Sequence, residues 1–204
     1  MQDFAKVVSF VFHPLWMPLV TLLLALNMDP YLFLPPTYYW FLMVTLIINT
    51  IAPALSIFVM YKMGHISSLE VENRKQRLLP FTLVTLYYLM SYAIVRTKLG
   101  GIQVEVLSLF SALIVTLVIC MLISIRYKIS MHLMAQGALF GILIALGMKH
   151  TINVLTLLLV VVGVSALVAW ARIRLRVHLG HQTLAGWSLG GFVHFLFVYF
   201  AWFI

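Results

Sequence analysis

Long runs of apolar residues, each about as long as a bilayer is thick, leave this chain few ways to fold. Six stand out: Tyr38–Tyr61, Pro80–Val95, Val104–Ile125, Met131–Met148, Thr151–Ala171 and Gln182–Ile204. About 20 helical residues cross a hydrocarbon core of about 30 Å. Backbone groups in lipid must pair internally, which restricts spans to helices or closed barrels. A barrel needs alternating polarity, and these runs do not alternate. Charged residues make up 9% of the chain, against roughly 25% in soluble domains, too few to cover a water-facing surface. The expectation is an all-α, polytopic transmembrane helix bundle, one domain over residues 1–204, with six spans and a shorter N-terminal segment. Phe4–Asn27 is that segment: Lys6 and His13-Pro14 interrupt it, so it reads as a lead-in helix followed by a short span from Pro14. It lacks the basic start and small-residue cleavage site of a signal peptide. Asp29-Pro30 with Pro35-Pro36, and Arg96–Gly101, read as turns; Pro53 predicts a kink. The Gly and Ala content of Met131–Met148 suits close helix packing.

The net charge of +8, from 13 Lys+Arg against 5 Asp+Glu, points to lipid headgroups or an anionic substrate rather than nucleic acid. Alternating span direction puts Lys62–Leu79, Arg126–Ser130 and Arg172–His181 on one face. With Lys6 that face collects 10 of the 13 basic residues. Positive-inside reasoning makes it cytoplasmic, and the expected location is a bacterial inner membrane. The single cysteine, Cys120, excludes an internal disulfide.

Three polar clusters share that face. The first is Glu70-Val71-Glu72-Asn73-Arg74-Lys75-Gln76-Arg77-Leu78-Leu79-Pro80. The second, Ser130-Met131-His132, opens a helix. The third is Arg172, then His178, Gln182, Gly186 and Gly190. Guanidinium forks match phosphate oxygens in pairs, and a helix N-terminus adds free N–H groups and a positive dipole end. One histidine can attack phosphorus while another protonates the leaving oxygen.

These residues resemble the type 2 phosphatidic acid phosphatase superfamily, whose members are often six-helix membrane phosphatases with the motifs Lys-x6-Arg-Pro, Pro-Ser-Gly-His and Ser-Arg-x5-His-x3-Asp. Ser130 and His132 match the second motif; Arg172 and His178 match the third at its spacing. The resemblance covers roughly Lys62 to Gly191. It implies that His178 is the nucleophile and His132 the general acid, with Arg172 and Ser130 holding the phosphoryl oxygens and Arg74 or Arg77 reaching in from the first cluster. It implies a lipid phosphomonoester or pyrophosphate as substrate, and no metal or other cofactor. The chain departs from the family in four places. The first cluster lacks the Lys-x6-Arg-Pro spacing, the second motif reads Ile-Ser-Met-His, Ala171 replaces Ser, and Gln182 stands where the orienting Asp belongs, with His181 or Glu70 as alternative orienting groups. Activity is therefore expected to be weak, and a non-catalytic lipid-phosphate binding or transport protein of the same fold is the alternative. A small transporter or channel component with a headgroup-anchoring basic face is a third reading.

Plainer roles are expected elsewhere. Arg174 and Arg176 anchor a helix end to headgroups. For the Glu70–Arg77 run the alternative expectation to reaching into the site is a solvated helix with i,i+4 pairs. His13 and His194 pack or sit at the interface. Asn49, Asn153 and Ser165 bond between helices. His178 and His181 lack the thiolate or carboxylate partners of a metal site.

Overall fold

The computed structural model describes residues 1–28, 35–71, 73–98 and 104–204. The expected turn at Asp29-Pro30, Glu72 and residues 99–101 of the expected Arg96–Gly101 turn lie outside them; Arg96, Thr97 and Lys98, expected in that turn, instead end a helix. The described residues form α1 (Gln2–Val11), α2 (Met17–Met28), α3 (Pro35–Leu46), a π-helical turn (Ile47–Ile51), α4 (Ala52–Lys62), a 3-10 turn (Arg74–Gln76), α5 (Leu78–Lys98), α6 (Val104–Ser124), α7 (Met131–His150), α8 (Leu155–Arg174) and α9 (Gly180–Tyr199).

Five helical stretches among these residues are long and apolar enough to cross a membrane: Tyr39–Lys62, Leu78–Thr97, Val104–Ser124, Met131–His150 and Leu155–Arg174. The sixth expected span, α9, has 20 residues but is not among them; it carries Gln182, His194 and several glycines. The N-terminal segment divides into two short helices, α1 and α2. Pro35 and Pro36, expected in a turn, open α3 instead. Proline suits a first helical turn because the N–H it lacks has no intrahelical partner there.

The kink expected at Pro53 takes the form of the π turn. Pro53 has no N–H to donate, and its ring crowds the carbonyl four residues back, that of Asn49. The helix accommodates this by widening: Ala52 N–H donates to the carbonyl of Ile47.

Glycine sets the tightest contact in the bundle, between α7 and α9. A Cβ on Gly190 would lie 1.9 Å from the Met134 carbonyl oxygen, and one on Gly137 would lie 1.9 Å from that of Trp187. Backbone therefore packs directly on backbone, as small residues permit between membrane helices. Around this pair, α8 and α2 pack on α7, α6 packs on α9, α5 packs on α6, and α1 lies along α8. Ser165 bonds between helices as expected, accepting from Trp187 Nε1–H at 3.2 Å, and Asn49 does so with Ser91. Asn153 does not: its Oδ1 accepts from Leu155 N–H at 3.1 Å at the start of α8.

Candidate functional site

The three clusters meet at one end of the bundle. Ser130 N–H donates to the Gln182 carbonyl at 3.3 Å, joining the second cluster to the third. Arg77 and Arg172 tie the first cluster to the other two.

Local geometry explains the spacing of the third cluster. Helix α8 ends in a Schellman turn. Arg176 adopts φ 57°, its N–H donates to the Ile173 carbonyl at 2.9 Å, and Val177 N–H donates to the Arg172 carbonyl at 3.2 Å. His178 N–H reaches the same carbonyl at 3.3 Å. Five intervening residues thus fold the chain back, so that His178 leaves the turn beneath the last turn of α8. Leu179 then caps α9, and Gln182 is its third residue. Gln182 Oε1 accepts from Leu179 N–H at 3.1 Å, the side-chain half of a capping box. Only the amide oxygen can accept that bond, which fixes the amide orientation. His178 Nδ1 lies 3.1 Å from the same oxygen and must donate to it. The lone pair of the neutral ring then sits on Nε2. Burial, the largest influence, pulls the His178 pKa down to about 4; the Gln182 bond opposes it, and the Arg172, Arg77 and Lys128 charges add to the lowering. At neutral pH His178 is an uncharged imidazole of fixed tautomer.

Arg172, in the last turn of α8, is 2% exposed. Its Nη1 donates to Glu70 Oε2 at 2.6 Å, while Nε is fully buried without a partner among the described residues. Glu70 therefore pairs with the arginine; the expectation that it orients His178 is corrected. His181, the other alternative, has its ring against Tyr127 at 5.9 Å. Ser130, the N-cap of α7, leaves its Oγ buried and without a partner among the described residues.

The first cluster is not the expected solvated helix. Val71 at φ 47° breaks helical progression, and Asn73 Oδ1 caps the 3-10 turn by accepting from Lys75 N–H at 3.1 Å. Arg77 is 3% exposed and lines the chamber described below. Its Nε donates to the Val71 carbonyl at 3.1 Å and its Nη1 to the Ile129 carbonyl at 3.0 Å. Arg77 thus ties Val71 to Ile129, two residues before α7. Burial lowers the Arg77 pKa, and the Arg172 charge adds to the lowering. Arg74 does not reach in; its Nη1 donates to the Ile125 carbonyl at 3.2 Å.

His132 is buried, and its Nε2–H donates to the Ser9 carbonyl of α1 at 3.1 Å. Its ring meets that of His13 edge-on, centroids 5.2 Å apart. His13, expected only to pack, is part of the site. Burial lowers its pKa; Glu70 opposes this and Arg172 adds to it. No spacing rule links residue 13 to residue 132, so only tertiary structure could reveal the pair. Arg174 and Arg176 are exposed, as headgroup anchors would be.

The site thus holds two buried guanidinium groups against one part-exposed carboxylate. Two unpartnered polar atoms, Arg172 Nε and Ser130 Oγ, belong to residues able to hold an oxyanion. No group of three or more His, Cys, Asp or Glu side chains suited to a metal occurs among the described residues. No family model, curated protein or solved structure matches this chain.

Proposed function

We propose that the chain binds a lipid phosphate at this end of the bundle and hydrolyses its phosphomonoester or pyrophosphate through His178, as a divergent relative of the type 2 phosphatidic acid phosphatases. One observation carries the reading: Arg172 Nε and Ser130 Oγ are both buried without a partner among the described residues, and they belong to the residues that the motif resemblance makes phosphate holders. Guanidinium pairs with phosphate oxygens in two parallel bonds, and its pull on them strengthens where water is excluded.

In the reaction, His132 first takes up a proton; His178 Nε2 donates its lone pair to phosphorus, the phosphorus–oxygen bond of the lipid breaks, and the departing oxygen takes that proton from the His132 imidazolium. Water then attacks phosphorus, giving a proton back to His132, and the phosphorus–nitrogen bond breaks to release phosphate. As positive charge develops on the imidazole, Gln182 accepts the Nδ1–H bond but supplies no countercharge, so turnover is slow. Loss of an orienting Asp in a comparable triad costs about 10⁴ in rate. The lipid phosphate must also displace Glu70 from Arg172, and His132 must leave Ser9. The substrate is a membrane lipid, the protein is multi-pass in a bacterial inner membrane with α9 as a sixth span, and the site faces the cytoplasm.

Those same features favour a second reading, a non-catalytic protein that binds or moves a lipid phosphate. Phosphate release from phosphatidate by purified protein, compared with His178→Ala, separates the two. Release that depends on His178 supports the enzyme. Saturable phosphatidate binding without release supports the second reading, and neither binding nor release overturns both.

A further inference from the structure

A chamber of about 150 Å³ runs from this site into the apolar interior of the bundle. His13, Glu70, Arg77 and His132 line its polar end, and side chains such as Val84, Phe110, Leu113 and Ile142 form its walls. One water needs roughly 10–15 Å³ of such space, so the chamber has room for a chain of about ten small groups. Thr45, Asn49 and His194 also line the wall. They are 2%, 0% and 1% exposed, and each has a polar atom without a partner among the described residues: Thr45 Oγ1, Asn49 Nδ2 and His194 Nε2.

The hydrogen-bonding sense of two of these atoms is fixed. Ser91 Oγ lies 2.5 Å from Asn49 Oδ1 and donates to it, leaving the Asn49 Nδ2 hydrogens unused. His194 Nδ1 lies 2.9 Å from the Gly190 carbonyl and donates to it, so Nε2 of the neutral ring is an acceptor. Asn49 lies in the π turn that Pro53 imposes, with Thr45 four residues before it near the end of α3, and π turns often occur at functional sites. Polar groups that served only helix packing would be paired, as Ser165 is with Trp187. In lipid an unpaired polar group is costly, and buried polar side chains there usually mark function.

We propose that this chamber receives the hydrophobic chain of an amphiphile, and that Thr45, Asn49 and His194 form an intramembrane subsite for a hydroxyl on that chain. A hydroxyl accepts from Asn49 Nδ2–H and donates to Thr45 Oγ1 or His194 Nε2, matching both senses. An ether accepts but cannot donate, and an alkyl group does neither. The affinity order is alcohol, then methyl ether, then alkane. The subsite needs no phosphate, so it stands or fails apart from the hydrolysis proposed above.

The test uses the full chain in lipid nanodiscs with photoreactive dodecanol, its methyl ether and dodecane, each carrying the same diazirine. Labelled residues are mapped by mass spectrometry. The expected result is saturable labelling of chamber residues, with the alcohol binding at least fivefold more tightly than the ether. Thr45→Val combined with His194→Phe should erase that preference while the ether still binds, and Asn49→Leu should weaken alcohol and ether alike. If either variant fails to fold, Thr45→Val alone, which removes only a hydroxyl, should narrow the preference. Equal labelling by alcohol and ether in the wild type overturns the proposal. So does a preference that survives the loss of both Thr45 and His194 acceptors, or the absence of saturable labelling, as expected of a chamber filled by water alone.

Discussion

Replacing Gln182 by Glu adds one charge and almost no volume. Either oxygen of the new carboxylate can accept from Leu179 N–H and His178 Nδ1–H, the bonds Gln182 Oε1 now accepts at 3.1 Å each. A carboxylate in the first turn of α9 also complements the helix dipole, so the fold should be retained. The His178 ring, held down at about 4 largely by burial, gains an opposite charge at hydrogen-bond distance. Such a neighbour raises a histidine pKa by roughly 1–3 units, to about 5–7. At pH 7 the protonated fraction then rises from about 0.1% to between about 1% and 50%. The same charge stabilises the imidazolium that forms during phosphoryl transfer, so phosphate release should rise with it. Gln182→Asp should act in the same direction but less strongly, because its side chain is one methylene shorter. An NMR titration of the His178 ring, assigned with His178→Asn, reads the shift directly. A ring that titrates at the same pH in wild type and Gln182→Glu would falsify the contact on which the catalytic reading depends.

Glu70→Gln keeps a hydrogen-bond acceptor for Arg172 but removes the charge that competes with an anion, so phosphatidate should bind at least tenfold more tightly; unchanged affinity in a calorimetric titration argues against displacement of Glu70. Gly190→Ala forces a Cβ to within 1.9 Å of the Met134 carbonyl oxygen, and overpacking of this kind costs about 1–3 kcal/mol; a wild-type melting temperature would contradict the backbone contact between α7 and α9. Acidification provides a signed test. The His178 pKa falls from 6.5 unfolded to about 4 folded, so the unfolded chain takes up the proton first and stability declines as pH falls from 6.5 towards 4. His178→Asn should lessen that decline, and thermal melts across the pH range measure it.

The helical spans were legible because bilayer thickness fixes their length and lipid fixes their polarity. Arg172 and His178 were legible because the Schellman turn at Arg176 makes their separation a local property. Glu70 was misread for the opposite reason: its partner lies 102 residues away, and the local i,i+4 pattern suggested pairs that the left-handed backbone of Val71 prevents. The bonds of Arg77 to the backbone carbonyls of residues 71 and 129 were not legible, because backbone acceptors are invisible in a motif. His13 and the Thr45–Asn49–His194 set had no signal in spacing at all. The π turn that presents Asn49 follows from Pro53, yet proline alone does not distinguish a kink from a π turn.

Rapid-quench labelling tests the central claim most directly. Purified protein in nanodiscs is mixed with ³²P-labelled phosphatidate and quenched in alkali, where phosphohistidine survives and phosphoserine does not. A base-stable, acid-labile label that maps to His178, decays as phosphate appears and is absent in His178→Ala is the predicted result. Phosphate release with no label on the protein, or a label that persists in His178→Ala, would contradict it.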